Sequence, residues 1–482
     1  MKKRFKTIAF VCLATMAVVS CDENNDNPIP SGETFDLGDG SNAYEISSNM
    51  TLTYPNTYNL KGFVYVTEGA TLTIEPGVVI KGEKESKATL IVERGGKLIA
   101  EGTSERPIVF TSAQAPGKRK PGDWGGIILL GKAKNNMGEQ TIEGGVRSKH
   151  GGNDDTDNSG VLKYVRCEFA GIEYSTDNEI NAITFGSVGS GTTVDYVQVS
   201  YSGDDSYEWF GGSVNCKHLV ALGTWDDDFD TDNGYSGKVQ FGLSVRDPRL
   251  ADQSQSNGFE SDNCADGAQL TPYTTATFSN ITFVGPKAAA DFQNDKSYIT
   301  GGDYFPNNGS GLGKFQSAMQ IRRSSRLNCV NSVATDWPIG LIVDGEKGNT
   351  VEQANAGTLN LKNIYFANMD VVGTDANKCY EDKEYDFKTK SVKADSEMSF
   401  SHRFFEKQDG NKYFADKSQL MLTDGKGVGV PFMPQAGSLL FGAQNFDGLD
   451  SWFDQVTYIG AFNAGDNWLD GWTNFDPQNA NY

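Results

Sequence analysis

Short apolar runs, broken at regular intervals by turn residues, dominate the chain. Phe63-Val64-Tyr65-Val66, Thr71-Leu72-Thr73-Ile74 and Val78-Val79-Ile80 are rich in β-branched residues, with Glu-Gly and Pro-Gly pairs between them. The pattern returns at Thr89-Leu90-Ile91-Val92, Lys97-Leu98-Ile99-Ala100 and Ile108-Val109-Phe110-Thr111, and no helical spacing separates the runs. Three short strands per turn, coil after coil, predict an all-β protein, a right-handed parallel β-helix over residues 46–370. Beyond residue 371 the periodicity fades. The tail from 431 to 482 carries Trp452, Trp468 and Trp472 and is expected to form a C-terminal cap packed on the solenoid, because an open last coil leaves unpaired edges.

The strongest internal repeat lies in 201–263. Laid over one another, its segments put Tyr207, Phe229 and Phe259 in one column and Glu208, Asp230 and Glu260 in the next, with Phe210, Asp232 and Asp262 in a third. The spacings, 230 − 208 = 22 and 260 − 230 = 30, suit one coil each. Neighbouring strands lie ~4.7–4.9 Å apart, where two carboxylates repel by about 3 kcal/mol at an effective dielectric of ~20. Such a column calls for a cation, a shared proton or nearby arginines. Calcium, with its hard oxygen ligands, is the expected ion, and Asp228, Asp230, Asp232, Glu260 and Asp262 are the expected ligands. A solvated acidic face on tight turns is the plainer reading. Tyr207, Glu208, Trp209, Phe210 and Trp225 are the expected ligand-binding face, although the aromatics read equally as core filling, and for Tyr207, Phe229 and Phe259 core filling is the favoured reading.

Residues 1–20 look like a secretory signal: Lys2, Lys3, Arg4 and Lys6 precede an apolar run too short to span a bilayer. Ala17-Val18-Val19-Ser20-Cys21 resembles a lipobox, with Cys21 lipidated, and residues 21–45 would form a flexible tether. Asp22-Glu23-Asn24-Asn25-Asp26 is similar to the signal that exports lipoproteins of the Bacteroidota to the outer face of the outer membrane. Removing four basic residues and no acids takes the formal charge from −21 to −25, which argues against nucleic acid as a partner. Cys167, Cys216, Cys264, Cys329 and Cys379 then remain. They form no CxxC, and buried thiols are expected, with one disulfide left open. The acidic run 153–158 lacks the glycine and glutamate of an EF-hand.

Ile74-Glu75-Pro76-Gly77-Val78, Trp124-Gly125-Gly126-Ile127, Tyr207-Glu208-Trp209-Phe210-Gly211-Gly212 and Tyr458-Ile459-Gly460-Ala461-Phe462 together resemble β-helix surface lipoproteins of the Bacteroidota, with a pectate-lyase-like architecture. The resemblance implies a fold and an outer-membrane address, lipid-anchored and facing the exterior; it implies no activity. Three functional readings follow. One is a binding face for an extended glycan, with calcium. Another is a calcium-dependent polysaccharide lyase in which Arg322 or Arg323 removes the proton. The third is an accessory subunit docked to an outer-membrane barrel. The sequence motifs of pectate lyases and polygalacturonases are absent, as are phosphate-binding and dinucleotide loops.

Overall fold

A computed structural model describes residues 32–175, 178–305 and 311–482. The predicted signal peptide and Cys21 lie outside the described residues. Two long sheets carry the molecule, one of 15 strands from Thr34–Leu37 to Lys412–Phe414 and one of 11 strands from Tyr44–Ile46 to Val371–Thr374. Every pairing within them is parallel, so the chain is an all-β parallel β-helix. Its first strand, Thr34–Leu37, falls inside the stretch expected to be tether, and Tyr44–Ile46 crosses the end of that stretch.

Three strands per turn hold only for the early coils. The strand Gly160–Glu168 pairs with two predecessors at once, Leu98 opposite Gly160 and Ile108 opposite Val165, and so fuses two sheets across a bend. At that bend Tyr164 takes φ +50°, and the residues in register with it on later coils do the same: Tyr196 (+55°), His218 (+49°), Phe241 (+63°), Asn280 (+58°), Asn331 (+50°) and Asn363 (+53°). Left-handed backbone is unusual for tyrosine and phenylalanine, and here stacking accompanies it. Ring centroids lie 4.5 Å apart for Tyr164–Tyr196, 4.2 Å for Tyr196–His218 and 5.0 Å for His218–Phe241. The column then turns to amides, with Asn363 Nδ2 donating to Asn331 Oδ1 at 3.2 Å.

Inside the coils Tyr207, Phe229 and Phe259 form one column, and Trp209 stacks on Phe185 and Tyr235. Cys216 and Cys329 occupy one column too, with Val239 and Phe278 between them, so they are too far apart to bridge. All five cysteines among the described residues are free.

The late end is closed by the helix Phe400–Lys407, whose Phe405 ring lies 4.5 Å from Phe366. The tail does not cap that end as expected. It runs back along the outside of the first sheet as a strap, held one coil at a time by Asn331 Nδ2 to Asn445 O (2.9 Å), Asn280 Nδ2 to Tyr458 O (2.9 Å) and Gln198 Nε2 to Asn474 O (2.7 Å). Lys81 Nζ closes it by donating to the main-chain oxygen of Tyr482 at 2.8 Å. Trp468 and Trp472 lie edge-on against the stacked rings of Tyr196 and His218.

Candidate metal centre

Alternation sorts the second sheet's residues. Tyr207, Phe229 and Phe259 point inward, so Glu208, Asp230 and Glu260, one residue on, share the outer face and stand in direct register. The same outer column starts at Glu45 and runs on through Tyr65, Ile91 and Ile128, and these last three are covered by Ile142, Val146, Ile172 and Ile180. After Thr184 it turns acidic, and after Glu260 it continues with Gln320. Phe210 stands opposite Asp232 in the neighbouring outer column.

The turn that precedes each strand adds four acids the sequence reading had not assigned: Asp204, Asp205, Asp226 and Asp227. Asp205 and Asp227 belong to a ladder that stitches successive coils. Asn181 Oδ1 accepts from Asp205 N (3.2 Å), Asp205 Oδ1 from Asp227 N (2.8 Å), Asp227 Oδ1 from Asn257 N, and Asn257 Oδ1 from Ser317 N (3.2 Å). Asparagine serves this role at both ends, so the stitching itself requires no charge. The two aspartates each spend one oxygen on the ladder, and each also brings a carboxylate oxygen close to the outer column.

Three groups of carboxylates therefore come together, each with one ligand atom per residue and all within 4.8 Å: Asp204, Asp205 and Asp226; Asp205, Glu208 and Asp230; Asp227, Asp230 and Glu260. Asp205 and Asp230 each belong to two groups, so the groups form a row. These clusters could hold metal ions. Asp226 Oδ1 and Asp230 Oδ1 are shielded from water and accept no hydrogen bond, and the buried Gln320 Nε2 donates none.

The electrostatics are strained in one direction. Burial, then Glu260 and other neighbouring acids, push Asp230 well above the usual carboxylate range; burial, then Glu143 and Asp230, do the same to Glu208. Asp227 is raised to about 6 and Asp232 to about 7, chiefly by burial. Glu260 rises to about 8 even with Arg322 beside it, and Glu143 to about 7 through burial and then Glu179. At 4.8 Å each charged pair costs about 3 kcal/mol at an effective dielectric of ~20.

Several expected assignments change. Asp228 is not in the row: it is fully buried in an ion pair with Arg246 (2.9 Å) and accepts from Ser244, because it lies at the corner before the strand begins. Tyr207, Trp209 and Trp225 have no exposed surface and cannot offer a face to a ligand; the first two fill the coil, and Trp225 Nε1 donates to Asp252 at 3.1 Å. Phe210 is half-buried against the apolar cover. Arg322 bridges Glu260 and Asp262 (2.9 Å to the latter), and Arg323 pairs with Asp262 at 2.6 Å. Those acids hold the Arg322 guanidinium more firmly charged than usual, which opposes its use as a base. The two guanidinium groups thereby offset the charge of Asp262 and part of that of Glu260, while Glu208, Asp230, Asp232 and Glu260 keep their expected places on the outer face. The missed acids had a signal: 226 − 204 and 227 − 205 both equal 22, the spacing from Glu208 to Asp230.

A family model described as a pectate-lyase like beta helix domain matches residues 44–404. No curated protein and no solved structure matches the chain.

Proposed function

The chain belongs to the pectate-lyase-like β-helix family, and on that premise we propose that it is a binding protein whose carboxylate row holds calcium and, through calcium, an extended acidic glycan. The observation that carries this is the ladder. At 205 and 227 an asparagine would stitch the coils as well as it does at 181 and 257, yet aspartate stands where Glu208, Asp230 and Glu260 already crowd negative charge. A structural role leaves that charge unexplained, whereas a hard divalent cation taking six to eight oxygens uses it. Oxygens the row does not supply would come from water or from the carboxylates and hydroxyls of the glycan. Without the cation, a processed chain of formal charge −21 − 4 = −25 repels such a ligand.

Binding is favoured over lyase chemistry because the two arginines offered as bases are both ion-paired to the acids. We place the protein at the outer surface of an outer membrane, anchored through lipid on Cys21, on the strength of its N-terminal sequence. Calorimetric titration of EDTA-stripped protein with calcium tests the first step, and retention on an acidic polysaccharide gel with and without calcium tests the second. Saturable calcium uptake that Asp230→Asn abolishes is expected, together with calcium-dependent retention. No uptake at millimolar calcium would end this reading.

A further inference from the structure

A second concavity lies where the strap meets the first sheet. It has a volume of about 480 Å³, within the roughly 300–1,000 Å³ of small-ligand sites. One wall is Tyr201, Leu222 and Val245, from successive coils. Tyr201 reaches this position because Gly223, at φ +63°, carries no side chain: a Cβ there would sit 2.8 Å from the Tyr201 ring. Tyr304 stacks on the same ring at 4.1 Å and fixes it from behind.

The opposite wall is equally well built. Asn474 is pinned to Gln198 by a pair of hydrogen bonds of 2.7 and 2.8 Å, which fixes Phe475 and Asp476 beside it. Val428 and Val430 belong to a glycine-rich loop organised by Asp424, whose carboxylate accepts the main-chain N–H groups of Lys426, Val428 and Gly429.

The lining is half polar in character, and its charges decide what it can take. Its two cations are engaged elsewhere: Lys426 with Asp470 (3.1 Å) and Arg246 with Asp228 (2.9 Å). An anion therefore finds no free counter-charge. Asp247, whose Oδ1 already accepts from Arg249 N (2.9 Å), and Asp476, whose two oxygens accept from Asn479 Nδ2 (3.1 and 3.2 Å), keep spare lone pairs as acceptors beside aliphatic and aromatic surface. Acceptors flanking a ring-sized apolar wall match a pyranose, which presents hydroxyl donors around its edge and C–H bonds on its face.

We propose that this cleft binds a neutral pyranose, its hydroxyls donating to Asp247 and Asp476 and its C–H face lying on Phe475. The site needs no metal and stands apart from the carboxylate row, so it does not rest on the calcium reading. Saturation-transfer NMR on the full chain in EDTA tests it, with methyl β-D-galactopyranoside and methyl β-D-glucopyranoside as probes and choline as the cationic control. At about 10 mM, enough to fill a site with Kd near ~1 mM, transfer to the ring C–H protons of at least one pyranoside is expected. It should persist in Asp230→Asn, whereas in Val428→Trp, which fills the cleft from the loop, the Kd fitted from a probe titration should rise at least tenfold, equivalent to about 1.4 kcal/mol, cutting the transfer at about 10 mM to roughly half. Phe475→Ala should lower it likewise, and serves if the tryptophan variant fails to fold. No transfer to either sugar, transfer untouched by both variants, or a choline signal alone would overturn the proposal.

Discussion

Two columns of stacked residues cross the same coils and obey opposite energetics. On the first sheet, Tyr164, Tyr196, His218 and Phe241 stack and then give way to Asn280, Asn331 and Asn363, with amide bonded to amide and the strap laid over them. On the second, Glu208, Asp230 and Glu260 occupy equally strict register, yet each pushes its neighbours toward protonation. A β-helix repeats whatever side chain it is given at about 4.8 Å. Rings and amides gain from that repetition, and carboxylates lose. A column that stabilises itself needs no further explanation; one that destabilises itself points to something that arrives from outside.

The largest expected effect is in pH. Carboxyls raised toward 6–8 in the folded state titrate near 4 when unfolded, so the native protein binds more protons than the unfolded chain across that interval. In EDTA the stability that these groups contribute is therefore full below about pH 4 and is lost as pH rises to about 8, by about 5 kcal/mol or more over several of them. Calcium should flatten the fall by taking the place of the protons. Denaturant titrations across that range check this, and a flat profile in EDTA would remove the contrast between the columns.

Exchanging the chemistries gives two smaller effects. Asn331→Asp puts a buried carboxylate into the amide ladder and removes the donor to Asn445 O, with an expected loss of about 3 kcal/mol at pH 8. The converse change, Asp227→Asn, keeps an oxygen for Asn257 N and removes a charge. It should stabilise the calcium-free protein by about 2 kcal/mol at pH 8, have little effect near pH 4, and weaken calcium uptake. A destabilising result at pH 8 would mean that the charge at 227 serves the fold itself.

Coil spacing was legible in the chain because equal offsets separate like residues, and the Glu208, Asp230 and Glu260 column follows from it. Which side of the sheet an aromatic takes was also legible in principle: Tyr207 and Trp209 are two apart and share the inner face, while Glu208 and Phe210 share the outer. Treating all four as one binding surface ignored that parity. Asp228 was not legible, since its partner Arg246 comes from the other sheet and no local pattern links them. Nor was the strap. Its contacts are hydrogen bonds between side chains such as Gln198 and Asn280 and its main chain, with Trp468 and Trp472 laid on the stacked rings, and they impose no periodicity on residues 445–482.

That strap alters how the solenoid can come apart. Stacked repeats ordinarily touch only their neighbours, so terminal coils fray on their own. Here Lys81 grips Tyr482 across 401 positions of sequence, with ties to the intermediate coils along the way, so early and late turns are lashed together and must loosen in concert. During synthesis, every coil precedes the cord that binds it, and the stacked rings of Tyr196 and His218 stay uncovered until Trp468 and Trp472 are laid down.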